Sequence, residues 1–204
     1  MTVVHLPGRR AELGPLRRAA LLAILAGLSV ASPAASQVAG PIEGRVSINL
    51  QLSMADLADQ WVPQASGALL FDAAPWIQVG GVGSVGLDHP EVRGASELRV
   101  RFGYGGVRVA VRPAAERLPG LSLTMIAAAG NVDVQEPTIG STLDSENGGV
   151  VEPGVTWVRP LGAHLGLLAS ASWRFAFEFE NLVGVSSSEL GGPALGVGLV
   201  LGPF

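Results

Sequence analysis

The sequence predicts an all-β chain, an antiparallel up-and-down transmembrane β-barrel of about eight strands. Three observations predict it. From Leu161 onward every second residue (Leu161, Ala163, Leu165, Leu167, Ala169, Ala171, Trp173, Phe175, Phe177, Phe179) is apolar, while the intervening row, Gly162 to Glu180, is small, polar or charged everywhere except Leu168. Such alternation makes a strand with one apolar and one polar face, and it runs roughly three times the usual strand length of 5–6 residues. Hydrophobic residues make up 48% of the chain, yet past residue 31 there is no apolar run of the roughly 18 residues a spanning helix needs. High hydrophobicity interrupted at every second residue is the pattern of a membrane barrel. With 28 Gly and only 15% charged residues, the composition suits strands and turns better than solvated helices.

The chain opens on a leader. Arg9, Arg10, Arg17 and Arg18 precede the apolar stretch Ala19 to Ala31, followed by small residues at Ala34 and Ser36. A basic segment, a short apolar core and a small-residue cleavage site predict a Sec signal peptide over residues 1–36, leaving 37–204 as the barrel domain. Removing it leaves 9 Arg against 16 Asp and Glu, a net charge of −7. That balance excludes a nucleic-acid partner, which requires basic surface. The absence of cysteine excludes disulfides, lipoprotein acylation and thiolate metal sites.

The first strand is expected at 43–52, with Val46, Ile48, Leu50 and Leu52 alternating against Arg45, Ser47, Asn49 and Gln51. Residues 53–64, with Asp56, Asp59 and Pro63, lose the period and read as a loop, with 66–71 as an extended arm of it. The second strand is expected at 75–86, and 87–95 as a turn around His89-Pro90. A hairpin follows: Leu98, Val100, Phe102 and Tyr104 lead to Gly105-Gly106, after which Val107, Val109 and Val111 resume the apolar phase. A two-residue glycine turn would put Tyr104 and Val107 on one face; a continuous strand with a bulge at the glycines is the alternative. A fifth strand is expected at 120–129, a long acidic loop at 130–149, a sixth strand at 150–159, a turn at Pro160, the seventh strand at 161–180, a polar loop at 181–192 and a closing strand at 193–204. In this register the connections after strands two, four and six form the short, periplasmic set.

The last residues, LGVGLVLGPF, alternate and end on Phe204. A terminal aromatic after an alternating strand resembles the C-terminal assembly signal of outer-membrane barrels, although here the apolar row Leu195, Val197, Leu199 and Leu201 lies in the opposite phase from Phe204. With the leader and eight strands, residues 43–204 resemble the small outer-membrane β-barrel family of OmpA/OmpX type. The resemblance implies a cell-envelope location in the outer membrane, contact with outer-membrane lipid, assembly through the barrel-assembly machinery and a monomeric state. It supplies no active-site motif.

Lipid-facing barrels carry polar side chains inside and aromatic girdles at both interfaces. The expected lumen charge network is Arg99, Arg101, Arg108, Arg112 and Arg174 with Glu97, Glu152, Glu178 and Glu180. Eight strands leave room only for side chains, so these charges are expected to plug the lumen as paired groups; an ion-selective pore is the alternative. The expected girdle is Trp76, Phe102, Tyr104, Trp173, Phe175 and Phe177 toward the external end, and Trp157 and Phe204 toward the periplasmic end.

Three further patterns carry weaker signals. His164, Ser170, Ser172 and Glu178 share a face of strand seven and invite comparison with a lipid hydrolase, but His164 and Ser170 would stand roughly 20 Å apart at about 3.3 Å per residue. The acidic stretch Asp133 to Glu146 lacks the ligand spacing of a calcium loop, and the glycines of 80–86 are followed by neither Lys-Ser/Thr nor a helix. The expectation is a structural or surface-interaction protein without catalytic residues, metal or cofactor. A soluble periplasmic or secreted barrel binding an apolar ligand inside, with the apolar row turned inward, is the competing reading.

Overall fold

The computed structural model of the protein describes residues 45–57, 60–87, 99–113, 117–136, 141–179 and 186–204. The expected leader, the turn around His89, and the residues Glu97 and Glu180 lie outside them. Eight strands follow one another: β1 Val46–Leu57, β2 Gln60–Ala74, β3 Ile77–Gly86, β4 Arg99–Val111, β5 Leu121–Glu136, β6 Ser141–Pro160, β7 Leu165–Phe177 and β8 Gly192–Leu201. Each pairs antiparallel with the next, and β1 pairs with β8 to close the barrel. Closure leaves no open edge, which is how a sheet satisfies every backbone group without a covering layer.

The expected count of eight survives through two compensating corrections. The stretch 53–64 is not a loop, because β1 continues to Leu57 and β2 begins at Gln60, pairing Leu57 with Gln60. The expected strand at 75–86 is β3, and β2 is an additional strand before it, joined to it by a tight turn at Pro75-Trp76 with an irregularity at Asp72/Ala74. Gly105-Gly106 is not a hairpin turn: β4 runs straight through it and keeps one register with β3 and with β5. A side chain on Gly106 would run into the Ala127 carbonyl and Ala128, so this glycine serves close strand approach rather than chain reversal.

The acidic stretch 130–149 is also largely strand. β5 reaches Glu136 and β6 starts at Ser141, with a register shift at Val134/Gln135. The seventh strand is shorter than its sequence pattern, since 161–164 form a turn and Glu178, at φ 68, ends it.

Apart from the irregularities at Asp72/Ala74 and Val134/Gln135, side chains alternate: odd-numbered residues point inward on β1, and even-numbered residues point inward on β2 to β8. The terminal end of the barrel holds the first residues of β1, β3, β5 and β7, the last of β2, β4, β6 and β8, and the turns at 75–76 and 161–164. The far end holds the last residues of β1, β3, β5 and β7 and the first of β2, β4, β6 and β8.

Along three strands the polarity of the two faces inverts, and along a fourth the outer face turns polar, while the phase does not change. Near the terminal end, β1 shows Val46, Ile48, Leu50, Leu52 and Met54 outward over Ser47, Asn49, Gln51 and Ser53 inward; toward the far end Asp56 is outward and Ala55 and Leu57 are buried inside. β5 shows Leu121 and Leu123 outside with Ser122 and Thr124 inside, then Asn131 and Asp133 outside with Val132 and Val134 fully buried. β4 changes from Val107 and Val109 outside to Arg101 and Arg99 outside; on β6 the outer face changes from Val155 and Trp157 to Asn147 and Ser145, while Glu146 and Asp144 keep its inner phase polar. The registers Arg101–Asp133–Ser145 and Gly103–Asn131–Asn147 show that the change falls at one level across β4, β5 and β6. Below it the barrel is apolar outside; above it the barrel is an ordinary small domain with a hydrophobic core.

Candidate functional site

The interior is filled in layers. At the far end Leu57, Val62, Val100, Val132, Val134, Val150, Phe179 and Leu190 form an apolar cluster with Phe102, Tyr104 and Ile126. Leu190 and Phe179 flank the connection between β7 and β8. Phe179 is fixed from outside the strands, because Ser187 Oγ donates to its carbonyl (2.9 Å) and its amide donates to Ser187 Oγ (3.1 Å). Its ring stands edge-on to Phe102, with centroids 6.3 Å apart, a favoured aromatic geometry.

Beneath this cluster lies an ionic layer. The flanking pairs Val151–Phe175 and Gly154–Ser172 set Glu152 opposite Arg174 on adjacent strands. Arg174 Nε donates to Glu152 Oε2 at 3.1 Å, with side chains 2% and 8% exposed respectively. Glu152 also accepts from the Tyr104 hydroxyl (2.9 Å) and from Ser172 Oγ (2.6 Å), and Arg174 Nη2 donates to Gln64 Oε1 (2.8 Å). The guanidinium carbon sits 5.1 Å from the Phe102 ring centroid and 5.0 Å from that of Tyr104, within cation–π range. A buried ion pair offsets its desolvation best when its remaining donors and acceptors are met; this carboxylate is met on both oxygens, while Arg174 Nη1 has no hydrogen-bond partner.

Nearer the terminal end Arg108 is buried and donates through Nη2 to Thr156 Oγ1 (2.8 Å). Polar side chains of Asn49, Gln51, Ser66, Thr124, Ser170 and Ser172 surround a cavity of about 40 Å³ beside it. Apolar cluster and ionic layer together stand between this cavity and the far end.

Of the residues expected in the lumen, Arg108, Arg174 and Glu152 lie inside. Arg99 and Arg101 do not; both are exposed on the outer face of β4. The reason is the continuous strand: without the turn at Gly105-Gly106, residues 99 and 101 share the outward phase of Val107, and residues 102 and 104 share the inward phase of Arg108. Phe102 and Tyr104, expected in the outer girdle, are consequently buried lumen residues. Arg112 is half-buried at the terminal rim, and Glu178 is exposed just beyond β7. His164 lies in the turn before β7 and Glu178 past its far end, while Ser172 is engaged by Glu152, so the strand-seven residues do not assemble a hydrolytic site. Among the described residues there is no group of three His, Cys, Asp or Glu able to hold a metal ion.

The outer aromatics fall into two groups. Trp173, Phe175 and Phe177 are exposed toward the far end, where Phe177 pairs with Gly149 immediately below the polar step at Asn147. Trp157 is exposed toward the terminal end, and so is Trp76, in the turn between β2 and β3 rather than at the end expected for it. Sequence reading missed Trp61 and Phe71, both exposed outward on β2, because the strand itself went unseen. Phe204 shares the inward phase, and its amide donates to the Ala163 carbonyl (3.1 Å). A side chain on Gly166 would meet the Phe204 ring, so the terminal aromatic, itself half-exposed, lies against β7 at the terminal rim.

The apolar row of β7 is outward and the buried charges are inward. A barrel that turned this row inward over an apolar ligand would have the opposite phase on β7.

No protein-family model matches the chain, and no curated protein matches it in sequence. Solved structures do resemble it. Neisserial surface protein A (NspA) superposes with a TM-score of 0.50 at 10% identity, over 78% of this chain and 96% of that one. A major outer membrane protein from Thermus thermophilus gives 0.48 at 12% identity, over 78% and 99%, and Ail, the attachment invasion locus protein of Yersinia pestis, gives 0.46 at 14%, over 78% and 97%. The likeness to the neisserial protein is one of fold: an eight-stranded antiparallel barrel like those of small outer-membrane proteins.

Proposed function

We propose that the protein is an outer-membrane barrel with a structural or surface-interaction role, its lumen closed by side chains and its far end facing outward as a rigid platform. The observation that carries this reading is the inversion of polarity at one level of the wall. The apolar outer rows Val46 to Met54, Gly103 to Val111, Leu121 to Ala129 and Gly149 to Trp157 each run for about nine residues, the length with which a tilted strand crosses a bilayer. Above them the outer wall carries Arg99, Arg101, Asn131, Asp133, Ser145 and Asn147, and a ladder of side-chain hydrogen bonds joins Asn131, Asp133, Ser145 and Asn147. Water suits that surface and hydrocarbon does not. Exposed aromatics at the step, Phe175 and Phe177, fit an interfacial girdle.

In this reading residues 1–36 are a leader removed on export, 37–204 form the barrel, and the terminal end faces the periplasm. Outer-membrane lipid is the direct partner, the barrel-assembly machinery acts on the C-terminal strand, and the folded state is a monomer. The role is not catalytic: the buried Glu152, Arg174 and Tyr104 are spent on one another, which suits a plug. Fractionation tests the proposal. The protein should be recovered in outer-membrane detergent extracts with heat-modifiable gel mobility; recovery in the soluble periplasm would refute it.

A further inference from the structure

The lumen of the described barrel holds two buried guanidinium groups, Arg108 and Arg174, against one carboxylate, Glu152, between its apolar cluster and its terminal rim. Glu152 is consumed. Its Oε2 accepts from Arg174 and Tyr104 and its Oε1 from Ser172. Arg108 is 7% exposed, meets only the neutral Thr156 hydroxyl through Nη2, and its Nε has no hydrogen-bond partner. A buried lysine could escape such a position by losing its proton, but an arginine cannot. An unpaired buried charge is among the costliest arrangements in a protein, so something must answer this one.

Arg108 borders the 40 Å³ cavity, which has room for a few water-sized species at about 10–15 Å³ each. The hydroxyls around it are free to donate. Thr156 Oγ1 accepts from Arg108 and Ser170 Oγ accepts from Gln51 Nε2, so each still has its own O–H to offer; Asn49 lines the same space with its Oδ1 unpartnered. A fixed cation beside uncommitted O–H donors is the chemistry of an anion site. Glu152 also borders the cavity, but its oxygens are turned into the ionic layer, where three donors hold them.

We infer that this cavity binds one small inorganic anion of the halide class, seated on Arg108 with Thr156 and Ser170 as donors. The cavity's small volume favours a monatomic ion over phosphate esters and organic acids of appreciable bulk. The site lies below the plug, so the anion enters from the terminal end and is not in transit.

The test is urea unfolding of the full protein folded in a non-ionic detergent, at one ionic strength made up with sodium chloride, bromide or gluconate, the last being too large to enter. The urea midpoint should rise saturably by about 0.5 M with chloride or bromide relative to gluconate, and Arg108→Gln should abolish the difference. Equal midpoints in all three salts, or an undiminished halide effect in Arg108→Gln, would overturn the inference. Should Arg108→Gln fail to fold, anomalous diffraction from wild-type crystals grown in bromide decides. A peak within hydrogen-bond reach of Arg108 Nε supports the site, and water density without anomalous signal there refutes it.

Discussion

Glu152 and Arg174 face each other across the β6–β7 ladder at 3.1 Å inside the barrel, and every other element of the plug is arranged around them. Tyr104 and Ser172 donate to the carboxylate, Gln64 accepts from the guanidinium, and Phe102 covers it. Removing one partner leaves the other buried and unanswered. Glu152→Leu or Arg174→Met alone should destabilise the barrel by about 3–5 kcal/mol, whereas the double replacement should recover much of that loss. Unfolding in urea from lipid vesicles, read as a double-mutant cycle, measures both.

Tyr104 offers a milder probe of the same layer. Tyr104→Phe keeps the ring against Phe102 and Arg174 and removes only the hydroxyl that donates to Glu152. A hydrogen bond to a charged group is worth about 1.5–3 kcal/mol, so the variant should lose roughly that much in the same unfolding assay while retaining heat-modifiable mobility.

Much of this site was legible in the residues and some was not, for a physical reason. Strands β1, β7 and β8 lie wholly or mainly below the polar step, where apolar-outside alternation identifies both strand and face. β5 and β6 cross the step. In Asn131-Val132-Asp133-Val134-Gln135 the period of two is still present, but the apolar row has become the inner one, and a search for an apolar outer face reads the stretch as an acidic loop. Leu57 and Val62 escaped for the same cause, and β2 shows Pro63, Ala65 and Gly67 outward between Trp61 and Leu69, too mixed to declare a face. Gly105-Gly106 misled differently: glycine supports both tight turns and close strand packing, and choosing the turn moved Arg99, Arg101, Phe102 and Tyr104 to the wrong side together.

The Phe177 ring covers Gly149 on the outer wall, so that a methyl group added there would overlap it. Gly149→Ala should expel the ring and destabilise the barrel, and Phe177→Ala should remove the aromatic cover. The two changes combined should cost less than their sum, since the collision disappears with the ring. Equilibrium unfolding of the three variants measures the coupling.

The plug as a whole predicts a silent barrel. In planar bilayers the protein should show no stable single-channel conductance at either polarity, because the apolar cluster around Phe179 and the ionic layer beneath it close the lumen. Steady conductance events from wild-type protein would contradict this.

The outer wall makes a depth-dependent prediction. Val155→Arg or Ala171→Arg, within the apolar belt, should cost about 2–4 kcal/mol on folding into lipid, while Ser145→Arg, above the step, should cost close to nothing. Equal costs at the two levels would mean that the belt is not in lipid.

The most direct measurement of the central claim is the environment of single labels along the wall in a lipid bilayer, at Leu165 to Phe177 on β7 and at Asn147 and Ser145 above the step. The odd positions 165–177 should report lipid, deepest near the middle of the strand, the even positions should not, and Asn147 and Ser145 should report water. Water contact at the odd positions, or lipid contact at Ser145, would contradict that claim.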